Sequence, residues 1–120
     1  MNDVLGFFQK RRSIRQYRKG AAVSDELAET LLRAAMAAPS AGNEQAWAFV
    51  VIRDRARLDQ CAVVHPYAQM CKTASLAILA CGDLSRDKHS GMWVQDCSAA
   101  VENLLVAAAM LGLAGTGCSI

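Results

Sequence analysis

Val94, Val101, Leu104, Leu105, Ala108 and Leu111 recur at helical spacing and predict one long helix over residues 93–111. Val106, Ala107 and Ala109 carry the apolar character around the whole circumference of its second half. A helix apolar on all sides is not stable on an ordinary surface. It runs through the centre of a fold, or it packs on its own domain and on a partner at once. Its alanines permit close approach of a neighbouring helix. Gly112 ends it, and no charged side chain follows Leu104. Gly112, Gly115 and Gly117 divide that run into a turn and an expected third strand over 116–120.

The rest of the chain has mixed periodicity. Asp3 is placed to cap a short helix running to about Arg11, with Val4, Leu5 and Phe8 on one face. Ser24 caps a clearer helix, with Asp25 and Glu26 in a first turn where the helix dipole favours negative charge. Leu27, Ala28, Leu31, Leu32 and Ala35 share its apolar face, and Pro39 ends it. Residues 46–52 and 74–81 read as strands, apolar enough to expect burial on both faces. Between them Asp54 caps a short helix through Leu58 and Cys61, and Pro66 opens a helical piece over 67–72. Residues 85–91 are polar and read as a mobile loop. The order is that of one mixed helix-and-strand domain spanning 1–120.

Composition limits the function classes. At 53% hydrophobic in 120 residues, the chain has more apolar surface than a lone small domain needs, so a partner subunit is expected. Two prolines and eight glycines argue against disorder. Met1-Asn2-Asp3 lacks the basic start of a secretory signal, and no apolar run is long enough to span a bilayer. The five cysteines, Cys61, Cys71, Cys81, Cys97 and Cys118, form no Cys-x-x-Cys pair. An odd count without a signal fits reduced thiols in a cytoplasmic protein. His65 and His89 have no metal-ligand spacing, so no metal site is expected.

Charge is concentrated near the start. Residues 10–19 hold six of the thirteen Lys and Arg, leaving seven basic against eleven acidic residues elsewhere. The net charge of +2 therefore hides a cationic pocket on a mildly acidic body. Guanidinium forks beside the Ser13 hydroxyl suit a phosphate. A solvated basic face or a small nucleic-acid patch would have the same composition. The acidic remainder, and the lack of aromatics beyond Tyr17 in the segment, argue against nucleic acid.

Three segments belong together. They are Arg11-Arg12-Ser13-Ile14-Arg15, then Pro39-Ser40-Ala41-Gly42-Asn43-Glu44-Gln45-Ala46-Trp47, then Trp93-Val94-Gln95-Asp96 with its helix and the turn Gly112-Leu113-Ala114-Gly115-Thr116-Gly117-Cys118. In this order and at these separations they resemble the FMN-dependent nitroreductase family over nearly the whole chain. The resemblance implies an α+β fold: a central, mostly antiparallel sheet flanked by helices, with the long helix at a homodimer interface. It implies that Arg11, Arg12 and Ser13 hold the FMN phosphate and ribityl chain while Arg15 reaches the pyrimidine side of the ring. Ser40, Asn43 and Gln45 would contact the flavin from the second subunit, where amides match alternating donors and acceptors on the flavin edge. Gly117, Cys118 and Ser119 match the segment along the flavin face. Trp93 and Gln95, with Asp96, fall near the substrate entrance, although an aromatic such as Trp93 is more often a core residue. Pro39 and Trp47 read as structural.

The activity implied is ping-pong transfer of hydride from NAD(P)H through FMN to a nitroaromatic, quinone or similar small electrophile. No general acid or base is needed, because flavin N5 carries the chemistry. Family members normally continue beyond the equivalent of Ile120, with basic residues that complete the phosphate pocket. The resemblance thus leaves a second reading, a non-catalytic flavin-binding or dimerisation module.

Overall fold

A computed structural model describes residues 3–118. Its first helix, α1 (Val4–Lys10), is capped by Asp3, whose Oδ1 accepts the Gly6 N–H at 2.8 Å. The second, α2 (Asp25–Met36), begins at Ser24, whose hydroxyl accepts the Leu27 N–H. It buries Ala28, Leu31 and Ala35, three residues of the expected face. It ends at Met36, earlier than Pro39 alone requires.

Strand β1 (Trp47–Ile52) pairs antiparallel with β2 (Ala77–Gly82), with Trp47 opposite Gly82 and Ile52 opposite Ala77. Helix α3 (Arg55–Val64) lies between them in sequence, capped by Asp54, and runs one turn beyond the expected end. A 3₁₀ turn, Gln69–Lys72, follows it. Arg55 fastens this unit by donating to the carbonyls of Ala74 and Cys71. Leu58, Ala62, Ala68 and Ala74 are buried.

The long helix α4 (Trp93–Met110) matches the expected span closely. Its end is a Schellman turn. Gly112 takes φ 77°, its N–H donates to Ala109 O, and the Leu113 N–H donates to Ala108 O at 2.8 Å. Helix α4 packs on α2, where Asn103 donates to the Ala34 carbonyl, and across one face of the sheet. The core there is Ala35, Ala38, Trp47, Cys97 and Ala100, with Phe49, Trp93 and Leu104 against it. The Trp93 ring lies so close to Gly82 that a Cβ there would sit 2.2 Å from Cε3. Glycine is what lets the ring lie on the strand.

Three expectations are corrected. Burial of both strands on both faces fails, since Val50 is 49% exposed and Leu79, its partner across the ladder, 36%. The α2–α4 layer covers one face, and no described element covers the other. The second strand starts at Ala77 rather than residue 74, because its partner strand ends at Ile52, opposite Ala77, and the chain there turns into the helix capped by Asp54. The third strand expected over 116–120 is absent in its described part, and its last two residues lie outside the described range. A single parallel bridge between Ser13 and Gly115 stands nearby, with the Ile14 N–H donating to Gly115 O at 3.0 Å.

Candidate functional site

The Ser13–Gly115 bridge places the basic segment beside the turn after α4, although about a hundred residues separate them. Two concavities flank it. The smaller, about 300 Å³, is lined by Lys10, Arg11, Arg12 and Ile14 on one side and by Leu105, Ala109 and Gly112 to Gly115 on the other. The larger, about 910 Å³, is an open groove with Arg15, Gln16, Tyr17, Gly117 and Cys118 on one wall. Its other wall is Pro66, Tyr67, Gln69, Met70 and Thr73. Ser119, expected to continue the Gly117–Cys118 segment, lies outside the described residues.

The cations in this region are poorly neutralised. Arg11 meets Glu102 at 3.5 Å. Arg12 and Arg15 have no carboxylate partner among the described residues. A Cβ on Gly117 would meet only Leu105, at 4.0 Å, so the backbone edge there is open. The Thr116 hydroxyl is buried with no hydrogen-bond partner among the described residues. Burial pushes the Tyr17 phenol up, with the nearby Cys71 thiol adding to the shift and Arg15 opposing it. Burial likewise raises the Cys71 and Cys97 thiols, so neither is a ready thiolate nucleophile at neutral pH. Free guanidiniums, an open glycine edge and an aromatic wall fit a flat, anionic ligand.

Ser40, Asn43 and Gln45 lie elsewhere. They form a tight turn with a 3₁₀ segment, Ala41–Asn43, resting on the first turn of α4. The Ala41 N–H donates to Asp96 Oδ1 at 3.0 Å, and the Gln45 N–H to the Ser40 hydroxyl at 3.0 Å. Asn43 (φ 54°) and Gln45 (φ 52°) both take left-handed backbone. Trp93 and Gln95 are at this end too, Trp93 half-buried against the core and Gln95 exposed. The rise of α4 from Asp96 to Leu105, the residue beside Gly115 and Gly117, puts about 14 Å along the helix axis between this cluster and the basic one. One chain therefore brings Arg11, Arg12, Ser13, Arg15, Gly117 and Cys118 together at one end of α4. It holds Ser40, Asn43, Gln45, Trp93 and Gln95 at the other.

The polar loop has a clasp that sequence reasoning missed. Glu44 reaches the 85–91 loop, with Oε1 2.8 Å from His89 Nδ1 and Oε2 accepting the Lys88 N–H at 3.0 Å. Desolvation pushes the Glu44 carboxyl up, but the His89 hydrogen bond and the Lys88 and His89 amides outweigh it and hold it below 4.5. The lowered value sets the sign of a pH effect: the clasp adds stability fully above pH 4.5 and loses it as pH falls through the folded value. The protection of the Lys88 and His89 amides, measured against their intrinsic exchange at each pH, should therefore fall on acidification across that window. Protection unchanged down to the point of global unfolding would contradict this. Tyr17, Pro66, Tyr67 and Met70 were also missed. A proline–aromatic pair closing a loop is the one local signal that marked them.

This is an α+β domain whose long helix carries a cationic groove at one end and a polar loop at the other. The chain belongs to the nitroreductase family, whose match covers residues 8–76. A protein of Methanothermobacter thermautotrophicus named "Putative NADH dehydrogenase/NAD(P)H nitroreductase" is 49% identical over 111 residues, 92% of this chain and 58% of its own length. A protein of the same name from Archaeoglobus fulgidus is 49% identical over 114 residues, 94% of this chain and 65% of its own length. The chain thus spans about three-fifths of these relatives. Among solved structures, "a putative nitroreductase in complex with FMN" from Desulfovibrio desulfuricans superposes with a TM-score of 0.85 at 38% identity. That match covers 92% of this chain and 64% of the other. No described helix is long and apolar enough to cross a membrane.

Proposed function

We propose that this chain forms, as a single domain, the FMN-binding part of a homodimeric NAD(P)H oxidoreductase of the cytoplasm. The reading is carried by one observation: Arg12 in the smaller concavity and Arg15 in the adjoining open groove both stand without a carboxylate partner among the described residues. The family relatives and the FMN-bound neighbour support it. Arg11, Arg12 and Ser13 would hold the phosphate and ribityl chain, and Arg15 the pyrimidine side of the ring. Gly117 and Cys118 would let backbone approach the ring face. Bound FMN supplies hydride acceptance and donation at its N5.

The distance between the two clusters points to a second copy. A two-fold interface repeats the same patch on both subunits. If α4 packs antiparallel on its copy, the basic end of one chain meets the Ser40, Asn43 and Gln45 loop of the other. Val94 and Met110 of α4 with Leu111 at its C-cap, and Val4, Leu5 and Phe8 of α1, are large apolar side chains exposed to solvent, as such an interface needs. Trp93 and Gln95 would then border the entrance. NAD(P)H and a nitroaromatic, quinone or similar electrophile would use the open groove in turn. Arg15, the Tyr17 hydroxyl and the groove walls would orient each, and no side chain need move a proton.

The test is to purify the protein, add FMN, and mix the complex anaerobically with NADH or NADPH. Bound flavin that bleaches on mixing is the expected result. Flavin held without bleaching favours the non-catalytic module. No flavin uptake overturns the proposal.

A further inference from the structure

The loop that carries Asn43 and Gln45 is held in an unfavourable backbone. Left-handed φ at two non-glycine residues so close together costs free energy and persists only where surroundings over-determine it. Here two carboxylates do so from opposite sides. Asp96 is 4% exposed; its Oδ1 takes the Ala41 N–H, and its Oδ2 is buried with no partner. A buried carboxylate with an idle oxygen is a poor choice for stability alone. From the other side Glu44 is clasped by His89 and the Lys88 amide. The His89 ring then lies over Gly42, where a Cβ would sit 2.5 Å from Cε1. The side-chain amides of Asn43 and Gln45 make no hydrogen bond to another described residue, so they are free to meet a ligand.

We propose that Asp96 and the Glu44–His89 pair are positioning residues, which hold the 40–45 loop so that the Asn43 and Gln45 amides face the flavin in a set orientation. The inference rests on the flavin reading above. Asp96 acts from beneath, through Ala41; Glu44 and His89 act from above, across Gly42. None of the three need touch the ligand.

The test uses Asp96→Ala, Asp96→Asn and His89→Ala, with FMN affinity measured by fluorescence titration and the exchange of the Asn43 and Gln45 amides measured without ligand. Those amides donate to the Ser40 carbonyl and hydroxyl, at 3.0 Å each, and report directly on the loop. Asp96→Ala should weaken FMN binding about tenfold and speed both amides. Asp96→Asn keeps an oxygen for Ala41 and should restore affinity to within about threefold of the parent, a rescue that loss of general stability would not give. His89→Ala lies on the surface and should weaken binding about threefold without unfolding the protein, so it decides the matter if Asp96→Ala does not fold. Equal affinity in His89→Ala, and in Asp96→Ala where it folds, overturns the proposal. If the parent takes up no FMN, the flavin reading fails separately. Amide exchange unchanged in the variants then overturns the loop-holding role as well.

Discussion

Alanine at both Arg12 and Arg15 is expected to weaken FMN binding at least about a hundredfold, because each charge-assisted hydrogen bond is worth about 1.5–3 kcal/mol. Both side chains are exposed, so their removal costs the fold little. Neither is engaged by a carboxylate among the described residues, so the change removes attraction for an anion without releasing a described internal partner. Arg11 is the useful contrast, since Glu102 already draws on its charge at 3.5 Å. Lysine at both positions keeps the charge but loses the planar fork, and should recover only part of the affinity. A fluorescence titration at low and high salt checks both points. An unchanged dissociation constant in the double alanine variant would mean the groove does not hold the phosphate-bearing ligand.

Trp47→Ala is expected to destabilise the fold by about 3–5 kcal/mol, the range for removing a buried aromatic and leaving a cavity. Trp47 begins β1 and is 6% exposed, in the cluster with Ala35, Ala38, Cys97 and Ala100. Its neighbours are mostly alanines, too short to move into the space. The indole therefore fills the seam where α2, α4 and the sheet meet. Val50→Ala on the opposite face is the control. Val50 is half exposed, and its truncation should cost about 0.5 kcal/mol or less. Urea unfolding of the parent and both variants separates the cases. Similar losses for Trp47 and Val50 would show that the far face of the sheet is covered in solution.

The helices were legible because their signals are local. Ser24, Asp25 and Glu26 announce the start of α2 within three residues, and Gly112 closes α4 through a Schellman turn that only a left-handed residue favours. Strand burial was misjudged because an apolar strand looks the same whether one layer or two cover it. Val50 and Leu79 are exposed for want of a second layer, and nothing in their own segments says so. The residues of the site were legible as types: guanidiniums near the start, amides in a proline-led loop, glycines after a long helix. The Glu44–His89 contact was not, since it joins loops 45 positions apart. Nor was the second wall of the groove at Pro66, Tyr67 and Met70, which a 3₁₀ turn brings opposite Arg15.

By itself, then, the order of residues determined which stretches coil or extend and which chemistry each can offer, because capping, periodicity and charge act within a few positions. Only the tertiary structure decided where that chemistry stands. The course of α4 puts the cationic cluster and the amide-bearing loop about 14 Å apart along its axis in one chain. Which segment docks on which turn of that helix is a matter of tertiary packing, which no local pattern encodes, and it is why the proposed site calls for two copies.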